Sequence, residues 1–227
     1  DKGVNVGGMV GHCAVRYHAM GERSLDEEPA SDEDIEKICA LVDEAIGSGA
    51  LGFSTSRTYM HRVPDGRFVP GTHAAPNEML AIGRVMGEHG KGVFEGALRL
   101  GERDHEEGLP KTRAEIAWVG QLSRENQLNA TFGVAHSYRR PELYRQIIEF
   151  VEEENAKGAR LRPQTTSRGV GGLFALDHRT PFAASSSWKM LAELPMLQRV
   201  EALEDETIRR ELIDLDQPTP VSYTHLR

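Results

Sequence analysis

Short apolar runs alternate with amphipathic stretches along most of this chain, and that alternation limits the fold more than any other feature. Residues 4–10, 50–53, 93–94, 130–135 and 159–164 read as strands. The stretches between them carry helical spacing. Ser31-Asp-Glu-Asp34 opens the first, with Ser31 as N-cap and acids in the first turn. Ile35, Ile38, Cys39, Val42, Ala45 and Ile46 then share one face, and Gly47 and Gly49 end the run. Pro76 opens a second helix through Glu88, Thr112 to Arg124 forms a third, and Pro141 to Ala156 forms a fourth that Gly158 stops. Strands separated by helices cannot close as hairpins. They imply right-handed crossovers and a parallel sheet. The expected class is therefore α/β. Periodicity is compatible with a partial (β/α)8 barrel and with an open doubly wound sheet, since a closed barrel takes about 250 residues and this chain turns helical and connective from residue 169 onward.

The net charge of −8 argues against a nucleic-acid surface, which needs a basic stripe. No apolar run approaches the roughly 20 residues of a membrane span. Cys13 and Cys39 are the only cysteines; Cys39 lies on an apolar helix face, which favours a buried thiol over a disulfide and suggests a cytoplasmic setting. Gly169-Val-Gly-Gly172 lacks the Lys and Ser/Thr of a phosphate loop, and no Gly-x-Ser-x-Gly elbow occurs. The acidic run Glu152-Glu-Glu154 reads as a solvated helix face.

In an α/β barrel the chemistry gathers where strands end. Those ends carry His12, then Ser54, Thr55, Ser56 and Arg57, then Arg99, His136 and Arg168. His12 fits a metal ligand, a proton shuttle or a capped loop histidine. His136 emerges directly from a strand and is the better candidate for a ligand. Zinc needs three or four converging ligands, and no His-x-His, His-Glu-x-x-His or Cys-x-x-Cys is present. Arg57, Arg99 and Arg168 suit a bidentate carboxylate clamp; surface salt bridges are the plainer alternative.

The wording of several segments adds to this pattern. Gly11-His-Cys-Ala-Val-Arg16 with Met20-Gly-Glu-Arg23, Gly49-Ala-Leu-Gly-Phe-Ser-Thr-Ser-Arg-Thr58, Arg162-Pro-Gln-Thr-Thr-Ser-Arg168 and His178-x-x-Pro-Phe182 stand in order along residues 3–216. Together they resemble the N-acyl-D-amino-acid deacylase (D-aminoacylase) branch of the amidohydrolase superfamily. The resemblance implies a (β/α)8 barrel of which this chain holds roughly strands three to seven, with zinc activating water against the amide of an N-acylated D-amino acid. It implies His136 as a metal ligand, while the polar residues at and beside the strand ends give Ser54, Arg57, Tyr59, Arg99, Arg168 and His12 as substrate-binding candidates. One departure stands out: Ala97, in Phe94-Glu-Gly-Ala-Leu-Arg99, occupies the place of a zinc-binding histidine.

The expected function is hydrolysis of a linear amide in a small N-acyl amino acid, carried by a longer protein and absent from this piece alone. A barrel that binds a small acylated ligand without hydrolysing it is the alternative, favoured by Ala97; hydrolysis of a cyclic amide is a third. Neither a nucleic-acid nor a membrane partner is expected. Residues 1–216 are expected to form the barrel segment. Residues 217–227 are expected to stand outside it, because Pro220-Val-Ser-Tyr-Thr-His-Leu-Arg227 looks like translated sequencing adapter.

Overall fold

A computed structural model describes residues 3–137, 140–167, 174–177, 180–183 and 185–214. The described residues within 1–136 and 141–165 form one compact unit, and those within 137–140 and 166–227 form the other. Residues 217–227 lie outside the described residues.

Among the described residues the first unit holds five strands: β1 (Val10–Gly11), β2 (Gly52–Ser56), β3 (Val93–Ala97), β4 (Asn129–Gly133) and β5 (Arg160–Gln164). All pair in parallel and in sequence order. The helices are α1 (His12–Met20), α2 (Asp32–Gly47), α3 (Pro76–Glu88), α4 (Pro110–Asn126) and α5 (Leu143–Ala156). Strictly sequential order decides between the two architectures that periodicity left open. A doubly wound sheet reverses direction at a switch point. Here every crossover steps the same way across the sheet, and under the right-handed rule for parallel connections that keeps the helices on one side, as in a (β/α)8 barrel. The chain forms part of such a barrel.

One register row explains the core. Phe53, Phe94, Ala130 and Leu161 are mutual partners across β2 to β5 and all are buried. They meet the helices: Phe94 stacks on Phe53 at 5.8 Å and meets Trp118 of α4 edge-on at 5.9 Å. Ile38, Val42 and Ile46 of α2 and Met79, Ile82 and Met86 of α3 fill the same core. Ser31 caps α2 through a reciprocal capping box with Asp34, as its sequence signals.

Three expectations need correction. The strand expected over residues 4–10 shortens to Val10–Gly11, because its glycines resist extended ordering; Val4 and Val6 are exposed. The strand expected at 50–53 starts two residues later and runs on to Ser56, so Ser54, Thr55 and Ser56 belong to β2 rather than to the loop after it. Gly52 sets its start, since a Cβ there would stand 2.1 Å from the Val93 carbonyl oxygen. The acidic run on α5 is not wholly solvated. Glu154 turns inward, where Arg124 and Lys157 neutralise it.

Helix α1 carries little sequence signal: Gly11 gives no side-chain cap and the first turn has no acid. Cys13 and Cys39 are free and half-buried, and burial pushes both thiols up.

In the second unit, α6 (Ser186–Ala192), α7 (Met196–Ala202) and α8 (Glu206–Asp214) follow one another. Trp188, Leu191 and Leu212 form a small core. Arg199 ties it by donating to the carbonyls of Leu176, Leu191, Ala192 and Leu194.

Truncating Phe94 to alanine removes a fully buried ring that touches two others. Urea denaturation should register a loss of about 3–5 kcal/mol for Phe94→Ala. Exposed Val4→Ala should change stability by less than about 0.5 kcal/mol.

Candidate functional site at the strand ends

Two buried ion networks hold the C-terminal ends of β1, β2 and β3. The first centres on His12, at the start of α1 and without solvent exposure. Its Nδ1 lies 2.8 Å from the Thr55 hydroxyl of β2, and its Nε2 lies 2.7 Å from Glu78 Oε1 of α3. Burial pushes the imidazole below its ordinary pKa, against the pull of Glu78. A neutral ring satisfies both bonds when Nε2–H donates to the carboxylate and Nδ1 accepts from Thr55. Arg16 Nε also donates to Glu78, at 3.1 Å, and its two terminal nitrogens donate to the carbonyls of Ser24 and Glu28. Gly71 closes the arrangement: its φ is +104°, and a Cβ would meet His12 Nδ1 at 2.6 Å.

The second network lies at the end of β2. Arg57 is 1 % exposed. Its Nε and Nη2 donate to the two oxygens of Glu115 on α4, at 2.6 and 3.1 Å, and Nη1 donates to the Ala74 carbonyl. The guanidinium also lies 5.2 Å from the Trp118 ring centre, and the indole N–H donates to Glu115 at 3.2 Å. Burial raises the Glu115 carboxyl, but its bonds to Arg57, the charge of Arg99 and the indole outweigh this and hold it below the usual range. Arg99 is the outer member, donating to Glu115 at 3.3 Å and to the Tyr59 hydroxyl at 3.1 Å. Against desolvation, the Glu115 charge keeps Arg99 above its ordinary value.

The candidates therefore separate. His12 and Arg57 are interior, with their polar atoms engaged by protein groups; neither the carboxylate clamp nor the surface salt bridge describes Arg57. Tyr59 and Arg99 are half-buried and touch each other at the rim. Ser54 is half-buried on β2. His136 follows β4 by three residues and is exposed, its ring 5.8 Å from Tyr144. Arg168 lies outside the described residues, as does His178.

The sheet face turned away from the helices supplies what reading the strand ends alone missed. Ser54, Glu95, Thr131 and Arg162 are register partners, one polar residue per strand from β2 to β5. None of the four is buried. One step toward the strand ends, Ser56 pairs in register with Ala97, and its hydroxyl hydrogen-bonds His61 Nδ1. Strict alternation of these residues with Phe53, Phe94, Ala130 and Leu161 was the available signal. The two carboxylates that neutralise the buried cations, Glu78 and Glu115, were also missed. Both stand at helical spacing with apolar residues, Glu78 with Ile82 and Glu115 with Val119 and Leu122, and that placement on a core-facing side was the signal.

No family model matches the chain. Over 96 residues it is 31% identical to a D-aminoacylase of Alcaligenes xylosoxydans xylosoxydans, a match covering 42% of this chain and 17% of that protein. Its structure is similar to that of an N-acyl-D-glutamate deacylase from Bordetella bronchiseptica, solved with zinc and a phosphonate mimic of the tetrahedral intermediate. That likeness has a TM-score of 0.53 at 18% identity and covers 70% of this chain and 30% of the other. The chain thus spans less than a third of either protein. It resembles the D-aminoacylase-like branch of the amidohydrolases, as its motifs do, and it shares their barrel fold.

The buried imidazole has a pH consequence. An unfolded chain protonates His12 near the ordinary value of 6.5, while the folded chain keeps it neutral to lower pH. Stability is therefore complete above about pH 6.5 and falls as the pH drops through that value toward the lowered folded pKa. Urea midpoints measured from about pH 7.5 down to about pH 5 should show this slope, and His12→Gln should flatten it relative to the parent chain.

Proposed function

We propose that this chain is the central barrel portion of a hydrolase that cleaves the linear amide bond of N-acyl-D-amino acids. The observation that carries the proposal is the match to D-aminoacylase, laid on a parallel sheet whose strand ends bear the polar residues. The substrate is a small acylated amino acid. Tyr59 and Arg99 offer a hydroxyl and a guanidinium at the rim for its carboxylate, and Ser54 offers a hydroxyl on the inner sheet face. His12 and Arg57 act behind them: each fixes a strand end through a buried carboxylate, which holds the rim groups in place.

Zinc is the metal proposed for the whole protein, with His136 as the ligand from this chain. Zinc supplies a Lewis acid and an activated water in amide hydrolysis. The donor set described here does not complete such a site. Among the described residues no three or more His, Cys, Asp or Glu side chains stand together so as to hold a metal ion. His12 has both nitrogens engaged, and Ala97 offers no donor. Among the described residues no helix is long and apolar enough to cross a membrane.

A second reading, a barrel that binds an acylated ligand without hydrolysing it, draws its support from Ala97 and from that incomplete donor set. Turnover separates the two. The whole protein supplied with zinc should release the amino acid from N-acetyl-D-amino acids and leave the L-forms intact, and His136→Ala should lower this at least about 10-fold. Stoichiometric zinc with no turnover on any N-acyl amino acid, or turnover indifferent to His136, would contradict the assignment.

A further inference from the structure

The loop between β3 and α4 displays one arginine that the networks above do not use. Every neighbour of Arg103 is tied down. Glu102 accepts the Thr58 hydroxyl and the Tyr59 backbone N–H, the latter at 2.7 Å. The Gly101 N–H donates to the Thr112 hydroxyl at 3.0 Å, and Asp104 accepts both the N–H and the hydroxyl of Thr112, at 2.7 and 2.6 Å. Arg103 itself takes a left-handed backbone with φ of 53°, unusual for a side-chain-bearing residue, and Lys111 holds its carbonyl at 3.0 Å. That conformation lays the guanidinium 4.0 Å from the Tyr59 ring centre and 6.0 Å from that of Phe68.

Tyr59 and Phe68 meet edge-on at 5.5 Å and carry further cations. Arg99 sits 5.6 Å from the Tyr59 centre and Arg62 sits 3.6 Å from the Phe68 centre. The acids nearby are already committed, Glu115 to Arg57 and Arg99, and Glu102 to Thr58 and Tyr59. Among the described residues the Arg103 guanidinium meets no carboxylate and no hydrogen-bond acceptor. A stacked guanidinium keeps its N–H edge available for bidentate pairing with an anion, and the aromatic face beneath it favours a ligand with an apolar arm.

We propose that Arg103, seated on Tyr59 beside Arg99, forms a carboxylate-recognising subsite at the rim of β2 and β3. It takes small acids that carry an apolar or acyl arm, the arm lying against Tyr59 and Phe68. That the acid is an N-acyl amino acid rests on the deacylase proposal; the subsite does not.

Calorimetry on the 227-residue chain tests this with three probes: N-acetyl-D-glutamate, its neutral diamide and inorganic phosphate. The acid should bind at least about tenfold tighter than the diamide, the scale of a charge-assisted bidentate pair. Arg103→Gln should erase that preference. Arg103→Lys should lose most of it, because an ammonium keeps the charge but not the planar fork. Arg113→Gln, on a different surface of α4, should keep it. No preference in the parent chain, an unchanged preference in Arg103→Gln, or phosphate binding as tightly as the acid would overturn the subsite. Deacylation assayed separately on the whole protein keeps the two proposals apart. An Arg103-dependent preference without turnover sustains the subsite and removes the deacylase. Turnover with acid binding indifferent to Arg103 does the reverse.

Discussion

The ion pair between Arg57 and Glu115 is the interaction on which the rim of this sheet depends. Both side chains are buried, and taking two charges out of water is costly. The geometry compensates: two guanidinium nitrogens meet two carboxylate oxygens, a carbonyl takes a third N–H, and an indole donates to the same carboxylate. Once made, the pair locks the end of β2 to α4 and, through the Ala74 carbonyl, to the segment that leads into α3. The His12–Glu78–Arg16 network repeats the device between α1, β2 and α3. Buried charge here secures position at strand ends, where packing alone would leave a long loop loose.

The sheet divides its labour by alternation. Toward the helices it presents Phe53, Phe94, Ala130 and Leu161, which build the core. On the opposite face the same strands present Ser54, Glu95, Thr131 and Arg162. A barrel interior is usually filled by branched apolar side chains. A row of hydroxyls and charges suits the binding of a polar ligand more than simple packing. The rim above it adds Tyr59, Phe68 and three arginines, an aromatic surface with surplus positive charge in a chain whose net charge is negative.

Much of the fold was legible in the sequence because its signals are local. Pro76 and Glu88 mark α3 as it stands, and Ser31 with Asp34 marks the start of α2. β3, β4 and β5 fall within about three residues of the apolar runs that announce them, the usual margin for strand ends. β1 and α1 were harder to see: glycines shorten the strand and no cap announces the helix. The site was legible only in residue type. Strand ends named His12 and Arg57, but whether such groups face a ligand or a buried carboxylate depends on Glu78 and Glu115, 66 and 58 residues away in the chain. Arg103 carries no motif, and only the left-handed turn that lays it on Tyr59 distinguishes it from any surface arginine.

The buried pair of Arg57 and Glu115 is structural and positions the rim. A double-mutant cycle of Arg57→Met and Glu115→Leu, read by urea denaturation, isolates the coupling between them. Glu115→Leu strands the buried Arg57, and Arg57→Met leaves Glu115 to the outer Arg99; each should cost about 3–5 kcal/mol. The double substitution removes both charges and should cost well under the sum, leaving a coupling of about 2 kcal/mol or more. Strictly additive losses, or single substitutions that leave stability unchanged, would show that the two side chains do not act as a structural pair.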